Sequence, residues 1–226
     1  MPNRPYVHIN CASTIDGKIA LPDGGRLSIS TEWDKRRVHR LRASLGAVLV
    51  GAGTIISDDP KLAVNPERAG ERKEITKIAL DGAGRITPTA RFLRTEGRSI
   101  IVTTEASGRE WARSIEALRP EVDVTMIVMP GGPAIDIGDC FQELHDAGVR
   151  AVLVEGGSDT IARVIAAGHF DTLTVFYGSM VMGGKGPTVA GGCGFPGGPL
   201  ELDLRGLQMP PGGGLLVEYG PRRSVT

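Results

Sequence analysis

The stretch VLVEGGSDTIARVIAAG, residues 152–168, sets a carboxylate (Glu155), a bare glycine pair (Gly156 and Gly157) and the polar run Ser158, Asp159 and Thr160 side by side. The apolar residues before Glu155 read as a strand, and those after Thr160 recur with helical spacing, with Ser158 placed to cap the helix. Backbone amides at such a corner lack intrahelical partners and lie at the positive end of the helix dipole, which suits a phosphate. No GxGxxG or GxxxxGK[ST] pattern occurs, so neither a dinucleotide fingerprint nor a nucleotide-triphosphate loop is indicated. Close packing of two backbones explains a glycine pair equally well.

A second corner lies in VLVGAGTIISDDPKLAV, residues 48–64, where a strand opens through Gly51 and Gly53 to Thr54 and then Asp58, Asp59 and Pro60. Hydroxyl and carboxylate groups there can bind a sugar or an amide. An aspartate before Pro60 also caps a turn without any ligand. In NCASTIDGKIA, residues 10–20, Asp16 and Gly17 are a turn signal and Lys18 a solvated cation. Arg42, in HRLRASLG, offers a forked cation to a phosphate or to a surface carboxylate. His8, His39, His145 and His169 fit no hydrolase motif, no zinc spacing or G-x-S-x-G elbow occurs, and no metal is expected. Few titratable groups beside many backbone donors indicate a cleft that holds a cofactor.

The elements that must position these groups follow from the pattern. Strands are predicted at 6–11, 47–51, 76–81, 99–103, 123–128, 151–155, 171–177, 200–207 and 215–219, with helices at 31–45, 108–118, 137–147 and 158–167. Alternating strands and helices imply an α/β fold with a mixed, mostly parallel sheet of about nine strands; the last two, with no helix between them, form an antiparallel edge. The Gly- and Pro-rich region 183–214 is read as long loops, so residues 1–226 are expected to form a single domain. Lys+Arg and Asp+Glu both total 26, which excludes a field attracting nucleic acid or an anionic membrane. No apolar run has the length of a membrane span and the N-terminus lacks a signal-peptide core, so a cytoplasmic location is expected. Cys11, Cys140 and Cys193 are odd in number and widely spaced, against a disulfide framework.

Taken in order, TIDGKIA, LRASLGAVLVGAGTIISDDPKL, ALDGAGRITPTARFL and VLVEGGSDTIARVI resemble the riboflavin-biosynthesis reductase family, whose fold is like that of dihydrofolate reductase. The chain resembles the stand-alone archaeal and fungal form, since the first strand is expected near Tyr6 and no deaminase HxE and PCxxC pair occurs. The resemblance implies NADPH, with NADH possible, reducing the ribosylamino group of a ribosylaminopyrimidine phosphate to ribitylamino, by a homodimer. It implies cofactor contacts at Ser28, Thr54, Asp58, Gly82, Ala83, Gly84, Arg85, Gly156, Gly157, Ser158, Asp159 and Thr160. Substrate contacts are implied at Arg26, Arg42, Leu62, Asn65 and Glu155, and a catalytic neighbourhood at Glu155, Asp16 and Lys18. Three departures from the family stand out: Ser158 and Asp159 where relatives often carry Gly-Thr, Asn65 where many carry Arg, and few cations for a 2′-phosphate beyond Arg85. The competing readings are another pteridine or pyrimidine reductase of this fold, and a non-catalytic nucleotide-binding module.

Overall fold

The structure is a computed structural model and describes residues 3–23, 25 and 27–222. Parallel strands buried on both faces need continuous apolar, β-branched runs, and the chain supplies them in β1 (Tyr6–Thr14), β2 (Ala47–Gly51), β3 (Thr76–Leu80), β4 (Ser99–Thr104), β5 (Val124–Met129), β6 (Ala151–Gly156) and β7 (Thr172–Gly178). Two further strands, β8 (Leu202–Gln208) and β9 (Leu215–Pro221), complete one nine-stranded sheet among the described residues, in the order β5-β4-β3-β2-β6-β1-β7-β9-β8. The pairs from β5 to β7 are parallel, whereas β9 runs antiparallel to both β7 and β8. The antiparallel C-terminal edge expected from the missing helix is therefore present.

Helices α1 (Glu32–Leu45), α2 (Ala52–Asp58), α3 (Pro66–Ala69), α4 (Arg109–Glu116), α5 (Ile137–Asp146) and α6 (Ser158–Ala166) pack on the sheet and its rim. Strand alternation divides the core between the two faces. Ala47, Leu49, Ile78, Val152 and Val154 join Phe141 of α5 and Ile161 of α6 on one face. Val48, Val50, Ala79 and Ile101 join Ala43 of α1, Ile55 of α2 and Ile115 of α4 on the other. Thr31 caps α1 by accepting from the Asp34 amide, and Gly46, at φ +74, ends it.

The chain builds β1, crosses to β2, proceeds outward to β5, then returns to insert β6 between β2 and β1. Such a reversal leaves a crevice beyond the carboxyl ends of the central strands, the usual ligand position in open α/β sheets. One irregularity marks that place: Leu49 pairs with Val154 and the next residue, Val50, with Gly156, so Glu155 is an unopposed bulge residue.

Candidate active site

A cleft of about 900 Å³ opens at this reversal, in the upper part of the range that small-molecule sites occupy. Its floor is Cys11 and Ala12 of β1 and Glu155 and Gly156 of β6. One wall is Gly53, Thr54 and Asp58 of α2 with Gly157, Ser158 and Asp159 at the start of α6. The other is residues 27–30, with Ile19, Ala20 and Pro187 at the rim. The two corners read from the sequence thus meet in space.

The bulge turns Glu155 toward α1, where Arg42 grips it with both arms: Nε donates to Oε1 at 2.6 Å and Nη2 to Oε2, while Nη1 donates to the Ala63 carbonyl at 2.8 Å. Only 16% of the Arg42 side chain and 11% of the Glu155 side chain are exposed. Burial works against the charged guanidinium, but the Glu155 carboxylate outweighs it and raises the Arg42 pKa above its ordinary value. Arg42 is therefore bound to Glu155 instead of standing open to a phosphate. Its neighbour His39 accepts the Asn65 amide on Nδ1 at 3.0 Å, and burial, followed by the Arg42 charge, lowers its pKa to about 4. It is neutral at physiological pH.

The bare corner has a packing explanation as well as a ligand one. A Cβ on Gly51 would land on Oγ1 of Thr160, and one on Gly156 or Gly157 would lie 3.4 or 3.3 Å from Oγ1 of Thr54. Each helix thus sets a threonine over the other's glycine. Gly157, at φ +72, is the N-cap of α6 in place of the expected Ser158. The Ser158 hydroxyl is drawn away to the Thr188 carbonyl. The first-turn amides of Ser158, Asp159 and Thr160 still lie at the helix start, although Thr160 is 6% exposed and does not line the cleft.

Several expected site residues lie elsewhere. Asp16 and Lys18 belong to a clasp beside the cleft: Asp16 accepts from the Thr14 hydroxyl at 2.6 Å and from the amides of Met182 and Gly183 at 3.0 and 2.8 Å, and Lys18 bridges to Thr188. Gly82 and Gly84 are packed by protein: a Cβ on Gly82 would strike the Pro133 carbonyl, and one on Gly84 would lie 2.7 Å from the Ser107 carbonyl. Ala83 is exposed, and Arg85, with 60% of its side chain exposed, lies 3.9 Å from Asp81. Leu62 is buried in the core at φ +50, and Asn65 caps α3 by accepting from the Glu67 and Arg68 amides. None of these lines the cleft, whereas Ser28 does. Arg26 lies outside the described residues. The sequence reading missed Cys11, Ser30, Lys35 and Pro187 as cleft residues. Ser30 and Lys35 flank the start of a predicted helix, and Cys11 lies in the NCASTIDGKIA stretch.

The Thr14 hydroxyl, with help from the two amides, holds the Asp16 carboxyl at about 2. A depressed carboxyl pKa contributes stability above the unfolded value, which is lost as pH falls through the folded one. The clasp is therefore expected to loosen between about pH 4 and pH 2. Asp16→Asn should loosen it at neutral pH. Limited proteolysis near residues 180–190 reads both effects; equal cleavage of variant and wild type at pH 7 would refute the clasp. Cys11, by contrast, offers no nucleophile, because burial, opposed by Arg37 and assisted by Asp34, pushes its thiol up to about 12.

With the geometry in place, comparison with known proteins decides the family. The family model described as the RibD C-terminal domain matches residues 5–213. The chain belongs to that family. This family member is 32% identical over 200 residues to the 2,5-diamino-6-ribosylamino-4(3H)-pyrimidinone 5′-phosphate reductase of Archaeoglobus fulgidus, covering 85% of this chain and 89% of the relative. It is 34% identical over 182 residues to the protein of that name from Methanothermobacter thermautotrophicus, covering 80% and 81%. Among solved structures, the diaminohydroxyphosphoribosylaminopyrimidine deaminase/5-amino-6-(5-phosphoribosylamino)uracil reductase of Thermotoga maritima superposes with a TM-score of 0.76 at 25% identity, over 97% of this chain and 57% of that one. A Saccharomyces riboflavin biosynthesis reductase shares the fold, with a TM-score of 0.72 at 19% identity over 97% of this chain and 91% of that one. These names support the reductase reading over a non-catalytic module. Among the described residues, no helix is long and apolar enough to cross a membrane.

Proposed function

We propose that this RibD C-terminal domain protein is a cytoplasmic homodimer that reduces 2,5-diamino-6-ribosylamino-4(3H)-pyrimidinone 5′-phosphate at C1′ of its ribosylamino group, with NADPH as reductant. The observation that carries the reading is the cleft at the sheet reversal, where the helix-start residues Ser158 and Asp159 form part of one wall and the Glu155 carboxylate lies on the floor beside them. A reduced nicotinamide held in the cleft would supply a hydride to C1′ of the opened sugar, reducing its C=N bond to an amine. The chain's own residues act by holding the partners. The start of α6, with Ser158 and Asp159, receives a phosphate, and Thr54, Asp58 and Ser28 flank the cofactor. Each Glu155 oxygen takes one Arg42 donor and keeps a lone pair for a ribose hydroxyl or an amino group. Orientation of this kind lowers a barrier by roughly 7–11 kcal/mol in favourable systems, which suits a site whose one thiol is locked in its protonated form.

The homodimer reading draws support from β8, an edge strand on which Leu204 and Leu207 are 63% and 64% exposed, followed by Met209 at 84%. The test is loss of NADPH absorbance with the authentic ribosylaminopyrimidine phosphate, followed by mass measurement of a two-hydrogen gain in the product. Consumption of NADPH with dihydrofolate and none with the pyrimidine would refute the assignment.

A further inference from the structure

We infer that Ser30 is a specificity-determining residue that reads the hydrogen-bond polarity of the ligand edge lying against it, accepting from a planar N–H donor and disfavouring a carbonyl. The inference rests on the reading of the cleft given above, and it names what one wall of that cleft recognises.

Ser30 lines the cleft, and its hydroxyl has one proton to give and two lone pairs. That proton is already committed: Oγ donates to Oδ2 of Asp34 at 2.6 Å. Asp34 is 1% exposed, and its other oxygen accepts from Nε of Arg37 at 2.9 Å, an ion pair that keeps the carboxylate an acceptor with nothing to donate. The arrangement is anchored in the sheet. Nη2 of Arg37 donates to Oδ1 of Asn10 at 2.6 Å, and that oxygen also accepts from the Thr174 hydroxyl at 2.8 Å. Asn10 and Thr174 are 5% and 3% exposed on the adjacent strands β1 and β7. Reversing the Ser30 hydroxyl would leave a buried carboxylate oxygen short of a donor, which is costly in a desolvated network. The cleft therefore meets only the lone pairs of Ser30.

Both proposed ligands carry the matching group: an exocyclic amine on the pyrimidine and the carboxamide N–H of the nicotinamide. A ligand carbonyl in the same place would set acceptor against acceptor. Sites built to pair a polar group reject analogues that cannot pair far more strongly than apolar pockets reject a missing methylene.

The experiment measures dissociation constants by titration calorimetry on the full chain with two ligand pairs. One pair is the diaminopyrimidine phosphate and its counterpart with a 2-oxo in place of the 2-amino group. The other is NADPH and its reduced 3-acetylpyridine analogue, which has a methyl ketone in place of the carboxamide. Wild type is expected to prefer the donor-bearing member of one pair by roughly 10-fold or more. Ser30→Ala should bring that ratio near unity while leaving the other pair's ratio unchanged, and the pair that responds identifies the ligand read. Asp34→Asn, whose amide can donate to Ser30 and free its proton, should narrow the same ratio; if that variant fails to fold, Ser30→Ala alone decides. Ratios that survive Ser30→Ala in both pairs, an equal loss for all four ligands, or no preference in wild type would each overturn the inference. A wild type that never turns over the diaminopyrimidine defeats the proposed reaction instead, and the nicotinamide pair then still decides on Ser30.

Discussion

Glu155→Gln is expected to lower the unfolding free energy by about 3 kcal/mol, near the lower end of what removing one partner of a buried ion pair costs. For a chain of this size that is a fall of roughly 6–12 °C in melting temperature. The physical reason is Arg42: with most of its side chain buried and two of its donors aimed at the carboxylate, it keeps its charge and loses its counter-charge. Turnover should fall more than affinity for the reduced dinucleotide, because Glu155 lies on the floor of the cleft whereas the phosphates are assigned to α6. Combining Glu155→Leu with Arg42→Met separates the two consequences. Apolar replacement of a buried pair is often neutral for stability, so this variant should melt close to wild type yet remain inactive. Thermal denaturation and steady-state kinetics are the measurements, and a Glu155→Gln protein with unchanged melting and unchanged turnover would remove Glu155 from both roles.

Gly178→Ala acts on the opposite wall. A Cβ there would lie 2.7 Å from Cγ2 and 2.9 Å from the carbonyl oxygen of Ile29, a buried residue pressed onto the end of β7. The backbone of residues 28–30 must then move outward, and overpacking of this kind costs about 1–3 kcal/mol. Since Ser28 and Ser30 line the cleft, the variant should also bind the reduced dinucleotide or the pyrimidine more weakly, by roughly 10-fold for one lost hydrogen bond. Cofactor fluorescence and calorimetry report this, and wild-type affinities for both ligands would show that the wall tolerates the added methyl.

The seven parallel strands were legible because such strands are short apolar runs ended by glycine or turn residues; residues 47–51 are the plainest case. Helix α2 was not. AGTIISD contains a glycine and three β-branched residues, poor helix formers, and it is helical because Ile55 is buried against the sheet while Thr54 sits over Gly156 and Gly157. The Ser158 cap was misplaced for a related reason, since the Thr188 carbonyl that takes its hydroxyl is 30 residues away. Arg42 and Glu155 were each singled out, but their pairing spans 113 residues and depends on a bulge that leaves no trace in hydrophobic periodicity. The clasp on Met182 and Gly183 lies at the start of a Gly- and Pro-rich tract whose composition does not distinguish an anchored loop from a linker, and only Asp16's partners reveal it.

The bulge also fixes what shortening the strand would do. Because Val154 and Gly156 already face consecutive residues of β2, no backbone partner on that strand depends on residue 155, so deleting it would take the carboxylate out of the cleft and strip Arg42 of its counter-charge.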